Sequence, residues 1–156
     1  MFDPTETDSL QAGQVLARGA CRFLGALGAA PVTEFSPVSG LRTDVTALMR
    51  DGEIWVIECK SCLADYQSDA KWRGYLPYCD RFFFAIDDRF PEEVLPPEEG
   101  LIIADGFDAE VIRPAPLRKL PAARRKAQTL RFARAAALRL RGAIDPGVVS
   151  LIGRED

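Results

Sequence analysis

The stretch Leu41–Lys60, LRTDVTALMRDGEIWVIECK, decides the predicted fold. It contains two runs rich in β-branched and apolar residues, Leu41–Met49 and Ile54–Lys60, which favour strands. Between these runs, Arg50-Asp51-Gly52 is a turn signal, because glycine readily adopts a positive φ. The stretch therefore predicts a β-hairpin.

The length of the turn decides which side chains share a face, since a slip of one residue moves every side chain to the other face. A two-residue loop would place Val45 opposite Glu58 and would point Asp44 away. A three-residue loop, with Gly52 as a left-handed bulge residue, places Asp44 directly opposite Glu58. We predict the three-residue loop. Alternation then puts Asp44, Thr46, Glu58 and Lys60 on one face, and Val45, Trp55, Ile57 and Cys59 on the other.

The combination of Asp44, Glu58 and Lys60 suits phosphodiester hydrolysis. Two neighbouring carboxylates repel each other unless a cation joins them, and their oxygens suit a hard divalent ion such as Mg²⁺. Such an ion polarises a phosphoryl oxygen, while a lysine stabilises developing negative charge. Alternatively, the two acids are solvent-facing charges of an amphipathic hairpin and Lys60 is their ion-pair partner. These residues alone leave both interpretations open.

The order of these residues along the chain resembles a nuclease signature. Asp44 followed by Glu58-Cys59-Lys60, on consecutive strands after an N-terminal helix, resembles the D…(D/E)xK pattern of the PD-(D/E)XK nuclease superfamily. The segments GLRTDVTAL, IECKSCLADYQSDAKWRGY and CDRFFFAI together resemble the bacterial MmcB family of DNA-repair, nuclease-like proteins. This resemblance extends over nearly the whole chain. The sequence departs from the superfamily's most familiar form because Thr43 replaces proline before Asp44 and Cys59 replaces an apolar residue.

The resemblance implies an α/β fold with a restriction-endonuclease-like core, α-β-β-β-α-β, and a mixed central sheet. It makes Asp44 and Glu58 metal ligands, the Cys59 carbonyl a third ligand and Lys60 the catalytic lysine. Glu34, on the preceding strand, is a weaker fourth candidate ligand. The implied function is a DNA endonuclease that acts in repair with Mg²⁺ or Mn²⁺. The alternative is a nuclease-like accessory protein that binds DNA for a partner repair enzyme without cleaving it.

Besides Glu34, the same site has four secondary candidates. Arg42 precedes Asp44 on the hairpin, and Asp69, Lys71 and Tyr75 come from the next predicted helix. Arg42 shares a face with Asp44, where it either touches a phosphate or pairs with a carboxylate. Helical spacing predicts one helix over Leu63–Leu76. On it, Lys71 and Tyr75 could reach back over the strand ends to a substrate phosphate. The other interpretation makes Tyr75 a core residue, and Asp69 and Lys71 surface charges.

The remaining pattern predicts the other elements of the sheet and its first helix. We expect a helix over Thr7–Leu27 ended by Gly28, a strand over Pro31–Ser36, a buried strand over Arg81–Ile86, and a hairpin of Leu101–Ala104 with Ala109–Ile112. The strand Arg81–Ile86 should pair parallel to Ile54–Lys60 through the intervening helix, as in a β-α-β crossover.

Length and charge predict one domain over residues 1–156 with a polarised charge distribution. The chain has a net charge of −3, yet residues 1–112 carry 9 basic and 20 acidic side chains, whereas residues 113–141 carry 10 basic and no acidic ones. Local fields matter more than net charge for meeting phosphates. The absence of a long apolar run or a basic leader predicts a cytoplasmic protein with no membrane segment. A small sheet exposes an edge, which would allow a homodimer.

A basic helix is predicted near the C-terminus, at about residues 121–141. Its apolar residues Ala123, Ala127, Leu130, Ala133, Ala137 and Leu140 form one stripe, which we expect to dock on the sheet. Arg124, Arg125, Arg131 and Arg139 lie away from that stripe. These arginines are candidates for following a DNA backbone. Equally, they could neutralise the acidic part of the chain or form a subunit contact.

Overall fold

The strands of the computed structural model, which describes residues 12–148, form one sheet whose order follows the chain. They are β1 Ala30–Phe35, β2 Thr43–Leu48, β3 Ile54–Cys59, β4 Arg81–Ile86, β5 Gly100–Ala104 and β6 Ala109–Arg113. The α-helices in this part of the chain are α1 Ala12–Ala26, α2 Leu63–Ser68 and α3 Ala122–Ile144, and a 3₁₀ helix covers Lys71–Tyr78. None of these helices is long and apolar enough to cross a membrane.

The sheet is mixed, as predicted. Strands β1, β2 and β3 are antiparallel neighbours, β3, β4 and β5 are parallel, and β6 returns antiparallel to β5. The parallel pairing of β3 with β4 confirms the predicted crossover, and the β5–β6 hairpin is also confirmed. The protein therefore has a mixed α/β fold.

The central hairpin has the predicted three-residue loop. Met49 N donates to the Glu53 carbonyl at 2.9 Å, which leaves Arg50–Gly52 as the loop, and Gly52 has a φ of 91°. Val45 pairs with Ile57 in the ladder, so the register brings Asp44 opposite Glu58. The turn thus positions the candidate acids, because one residue fewer in the loop would separate them.

Each face of the sheet carries its own apolar layer. Helix α1 packs with Val45, Ile57 and Cys59 on one face, which confirms the predicted side for these residues. Trp72 and Tyr75, from the 3₁₀ helix, pack on the other. The predicted start of the first helix lies outside the described residues. Asp44, Glu58 and Lys60 belong to the face covered by the 3₁₀ helix.

The predicted single helix over Leu63–Leu76 is wrong, because the chain leaves the helical conformation at Asp69. Helix α2 ends at Ser68, and Asp69 is extended, with φ −113° and ψ 108°. The Asp69 carboxylate accepts the N–H of Lys71 at 2.9 Å and the Lys60 ammonium at 2.6 Å. Aspartate side chains that bond nearby backbone groups compete with helix formation. The break brings Asp69 to the candidate site.

The predicted docking face of the basic helix is also wrong. The stripe from Ala123 to Leu140 faces solvent, and Leu130 and Leu140 are 56% and 62% exposed. The buried residues of α3 are Gln128 and Phe132, and the Phe132 ring lies 5.7 Å from the ring of Phe35. The apolar period of α3 is therefore not what orients this helix.

Helix α3 docks through hydrogen bonds to the outer edge of β1 and the residues after it. Arg139 donates to the carbonyls of Thr33 and Glu34, Arg131 donates to Ser36 O at 2.6 Å, and Gln128 donates to Pro37 O at 2.9 Å. An edge strand presents backbone groups that need partners or a cover. The polar face of α3 supplies donors for the carbonyls of Thr33, Glu34, Ser36 and Pro37.

Candidate active site

The centre of the site is a contact between two carboxyl groups on adjacent strands. Asp44 N donates to Glu58 Oε1 at 3.1 Å, and Cys59 N donates to Asp44 Oδ2 at 2.7 Å. Each carboxyl group thus accepts a backbone N–H from the strand opposite its own. These reciprocal bonds fix both side chains, and Glu58 is only 3% exposed.

Burial and mutual repulsion change the proton affinity of the pair. Burial, followed by the charge of Asp44, raises the pKa of Glu58 to about 8. Burial also raises the pKa of Asp44, although the Cys59 N–H and Glu58 oppose this change. The raised pKa favours the protonated form of Glu58 at neutral pH, although the charge of the nearby Lys60 lowers that pKa. Because a metal ion binds the ionised carboxylate, metal binding at this pair would release the proton.

Lys60 follows directly after β3 and is held by Asp69. Its ammonium lies 2.6 Å from Asp69 Oδ2, and the residue is 3% exposed. Burial lowers the pKa of Lys60, but the hydrogen bond and charge of Asp69 outweigh it, so the pKa is raised. Partial burial raises the pKa of Asp69, but the hydrogen bonds and charges of Lys60 and Lys71 together outweigh it, so the pKa is lowered. Lys60 is therefore a charged ammonium fixed beside the two acids.

These groups open into a cavity of about 660 Å³. Its lining includes the secondary candidates Arg42, Asp69, Lys71 and Tyr75 together with Asp44, Glu58, Cys59 and Lys60. The hydroxyl of Tyr75 donates to the Arg42 carbonyl at 2.8 Å. It thereby fixes the backbone two residues before Asp44. The tertiary structure thus brings together most of the predicted site residues.

Glu34 lies in the same row of the sheet but not in this cavity. The neighbouring pairs Thr33–Val45 and Phe35–Thr43 place it beside Asp44 in the register. Its φ of 51° is irregular for a strand residue, and Glu34 lines a separate cavity on the outer side of β1. The structure therefore separates Glu34 from Asp44 and Glu58.

The four predicted DNA-binding arginines have different surroundings. Arg125 pairs with Asp80, a fully buried carboxylate, and Arg124 stacks over the ring of Tyr78 at 4.6 Å. Neither lines the candidate site. Arg131 and Arg139 lie at the β1 edge and line the same cavity as Glu34. The DNA contacts of all four remain predictions.

Asp65 and Ser36 also line the site and were missed by the sequence analysis. Asp65 precedes Asp69 by four residues, a spacing that could have indicated a second acid on the same side of a helix. No sequence signal marks Ser36, because it reaches the site through the turn after β1. Tertiary packing alone recruits it.

The donor set fits a hard cation held by few protein ligands. Within residues 12–148, no cluster of three or more histidine, cysteine or acidic side chains is arranged around one point. The available donors are the two carboxylates and the Cys59 carbonyl, which in a strand points to the same side as the Cys59 N–H that meets Asp44. Mg²⁺ characteristically uses one or two carboxylates and retains several waters. Two carboxylates and one carbonyl are therefore enough protein ligands for a Mg²⁺ ion that retains several waters.

The fold and the site define a class: mixed α/β proteins with a carboxylate pair and a lysine on the central hairpin of the sheet. Within this class, the chain belongs to the DNA repair protein MmcB-like family, whose model matches residues 3–147. Membership of this family indicates a role in DNA repair.

A solved structure shares this architecture. It is described as the SPO1766 protein of unknown function from Silicibacter pomeroyi, and it is 57% identical in sequence, with a TM-score of 0.86. The alignment covers 89% of this chain and 95% of that chain. Among curated proteins, no sequence matched.

Proposed function

We propose that this protein is a metal-dependent DNA endonuclease that acts in repair. The observation that carries the proposal is the contact of Asp44 with Glu58 beside the buried ammonium of Lys60, in a cavity open to solvent. Membership of a DNA repair family supports DNA as the substrate. A carboxylate pair with a lysine is a set of groups suited to phosphodiester hydrolysis.

In this proposal, Asp44, Glu58 and the Cys59 carbonyl hold Mg²⁺ or Mn²⁺. The ion supplies Lewis-acid polarisation of the scissile phosphate. Lys60 donates to a phosphoryl oxygen and stabilises the negative charge that develops on it. Asp69 keeps Lys60 in place, and Tyr75 fixes the backbone that leads into Asp44. Arg42 and Lys71 provide positive charge at the mouth of the cavity.

Cleavage of supercoiled plasmid and of labelled forked, gapped and single-stranded DNA tests the proposal. We expect cleavage with Mg²⁺ or Mn²⁺ and none with chelator. Asp44→Asn should abolish it, and Lys60→Ala should reduce it about 10²–10³-fold, as expected for loss of a group that stabilises transition-state charge. Cys62→Ser is a matched control, because Cys62 is exposed and follows the site without lining it.

The same assay separates nuclease from accessory protein. Cleavage that persists unchanged in folded Asp44→Asn protein would exclude the proposed site. Salt-dependent DNA binding without any cleavage, with either metal and on every substrate, would instead identify the accessory protein that binds DNA for a partner enzyme.

A further inference from the structure

A second cavity, of about 550 Å³, lies on the outer side of β1. Arg131, Arg134 and Arg139 from α3 line it, together with Glu34 and Ser36. Ser36 also lines the cavity that contains Asp44 and Glu58, so the two cavities meet at this residue. A chain that occupies the candidate active site could therefore continue directly over Ser36 to the arginines.

Two of these arginines bond to backbone carbonyls, and the Glu34 side chain is an acid that shares their cavity. Arg139 donates to the carbonyls of Thr33 and Glu34, and Arg131 donates through Nε to Ser36 O. Carbonyls are neutral, and neither arginine forms an ion pair with another described residue. Arg125, in contrast, is paired with the Asp80 carboxylate. Arg131 and Arg139 are thus fixed in position without an ion-pair partner among residues 12–148.

The backbone conformation of Glu34 accompanies the bond that holds Arg139 at the β1 edge. Its φ of 51° is in the left-handed region, which is uncommon for a residue with a Cβ. The Glu34 carbonyl accepts a hydrogen bond from Arg139 at 2.8 Å. Glu34 stands beside Asp44 in the register, and adjacent strands are about 5 Å apart. The arginines therefore lie one strand beyond the acids, on the far side of β1.

We propose that this cavity binds a non-scissile phosphate of the DNA strand whose scissile phosphate lies at Asp44 and Glu58. The proposal rests on the proposed function, because it assigns the direction in which the substrate leaves that site. Arginines fixed on a rigid helix bind phosphate through charge and paired N–H groups. Such contacts fix the register of the DNA without reading its bases. The substrate must accordingly extend beyond the cleavage point on the Ser36 side.

The test compares two double variants that each remove two positive charges from α3. Arg131→Gln with Arg139→Gln changes the cavity, and the amide can still donate to the β1 edge as Gln128 does at Pro37. Lys126→Gln with Arg141→Gln is the control, because both residues are exposed and lie outside the cavity. Binding of a labelled oligonucleotide is measured by fluorescence anisotropy in chelator, over a series of salt concentrations, and folding is monitored by circular dichroism.

We expect the cavity variant to bind roughly tenfold more weakly and to reduce the slope of log affinity against log salt by about two. The control should retain the wild-type slope. Equal losses in both variants, or no loss in the cavity variant, would overturn the proposal. Inorganic phosphate and a mononucleotide, added as competitors, should displace the oligonucleotide only at far higher concentration. Efficient displacement by either would indicate a free-phosphate site and would also overturn the proposal.

A second pair of variants leaves the arginines intact. Ser36→Glu places a negative charge where the two cavities meet and should weaken binding, whereas Ser36→Gln should not. Identical affinities of these two variants would count against the proposed path even if the arginine variants were unstable. Because all binding is measured in chelator, failure of the endonuclease proposal appears separately, as DNA that is bound but not cleaved when Mg²⁺ is added.

Discussion

At the scale of single residues, the site depends on charged groups held in contact by backbone and side-chain bonds. Asp44 and Glu58 each accept a backbone N–H across the hairpin, and Lys60 is held by Asp69. Buried charges are costly unless they are paired. The acid pair is therefore a locally unfavourable arrangement that the fold maintains, as is common at functional sites.

Replacement of Glu58 by Gln should stabilise the metal-free protein at alkaline pH. The folded-state pKa of Glu58 is raised to about 8, above its ordinary value of 4.5, so the unfolded state binds fewer protons between these values. Wild-type stability should therefore fall as pH rises through this range. Urea unfolding in chelator at pH 5 and pH 9 measures the effect. We expect the variant to gain stability relative to wild type at pH 9; an equal difference at both pH values would contradict this.

Replacement of Asp69 by Asn should weaken catalysis without weakening DNA binding. The amide can still accept a bond from Lys60 but no longer raises the pKa of Lys60 through its charge. We expect kcat to fall roughly tenfold, as for other groups that orient an active-site residue. Because Lys60 must be protonated to donate, activity should also be lost at a lower pH than in wild type. An unchanged pH profile would show that Asp69 does not act through Lys60.

At the scale of elements, Asp80 joins β3 to α3 and to the segment that precedes α3. This residue directly precedes β4, and its carboxylate accepts the backbone N–H groups of Ile54 at 2.7 Å and Leu120 at 2.9 Å. It also pairs with Arg125. Near its start, helix α3 is therefore held by an ion pair to a buried carboxylate; farther along, it is held by the Phe132–Phe35 ring contact and by hydrogen bonds to the β1 edge.

Replacement of Asp80 by Asn should lower the free energy of unfolding by about 1.5–3 kcal/mol at pH 7, because it removes the carboxylate that pairs with Arg125. The pKa of Asp80 is lowered, since Arg125 and the backbone N–H groups outweigh burial. Its contribution is thus present above the unfolded-state pKa, near 4, and is lost as pH falls below it.

Denaturant unfolding at pH 7 and pH 3 measures this prediction. The difference between wild type and Asp80→Asn should shrink at pH 3. Asp87→Asn is the control, because the Arg89 side chain that Asp87 pairs with is 87% exposed and such pairs contribute about 0–1 kcal/mol. A loss at Asp80 no larger than that of the control would mean that Asp80 does not anchor α3.

At the scale of the whole molecule, the acidic and the basic parts of the sequence occupy different places in the fold. The acidic part of the chain supplies the sheet, and the basic α3 lies along its β1 edge, next to the candidate active site. Strands β1 and β6 are the two edges of the sheet, and α3 bonds to the carbonyls of Thr33 and Glu34 on β1. The dimer and a repair-protein partner stay predictions.

Local sequence determined the central hairpin of the sheet and its register. The turn Arg50-Asp51-Gly52 and the alternation around it predicted that Asp44 would meet Glu58, and the register confirms it. The parallel β3–β4 pairing was predicted as well. These features depend on side chains within a few residues of one another, where strand period and turn geometry leave few choices.

Tertiary structure decided the contacts between distant segments. The orientation of α3 could not be read from its apolar stripe, because the carbonyls of Thr33, Glu34 and Ser36 required donors from residues about a hundred positions away. The contact of Asp69 with Lys60 needed a break in a helix that the sequence pattern continues. In both cases backbone and charged groups required partners, and only the folded chain determined which residues could supply them.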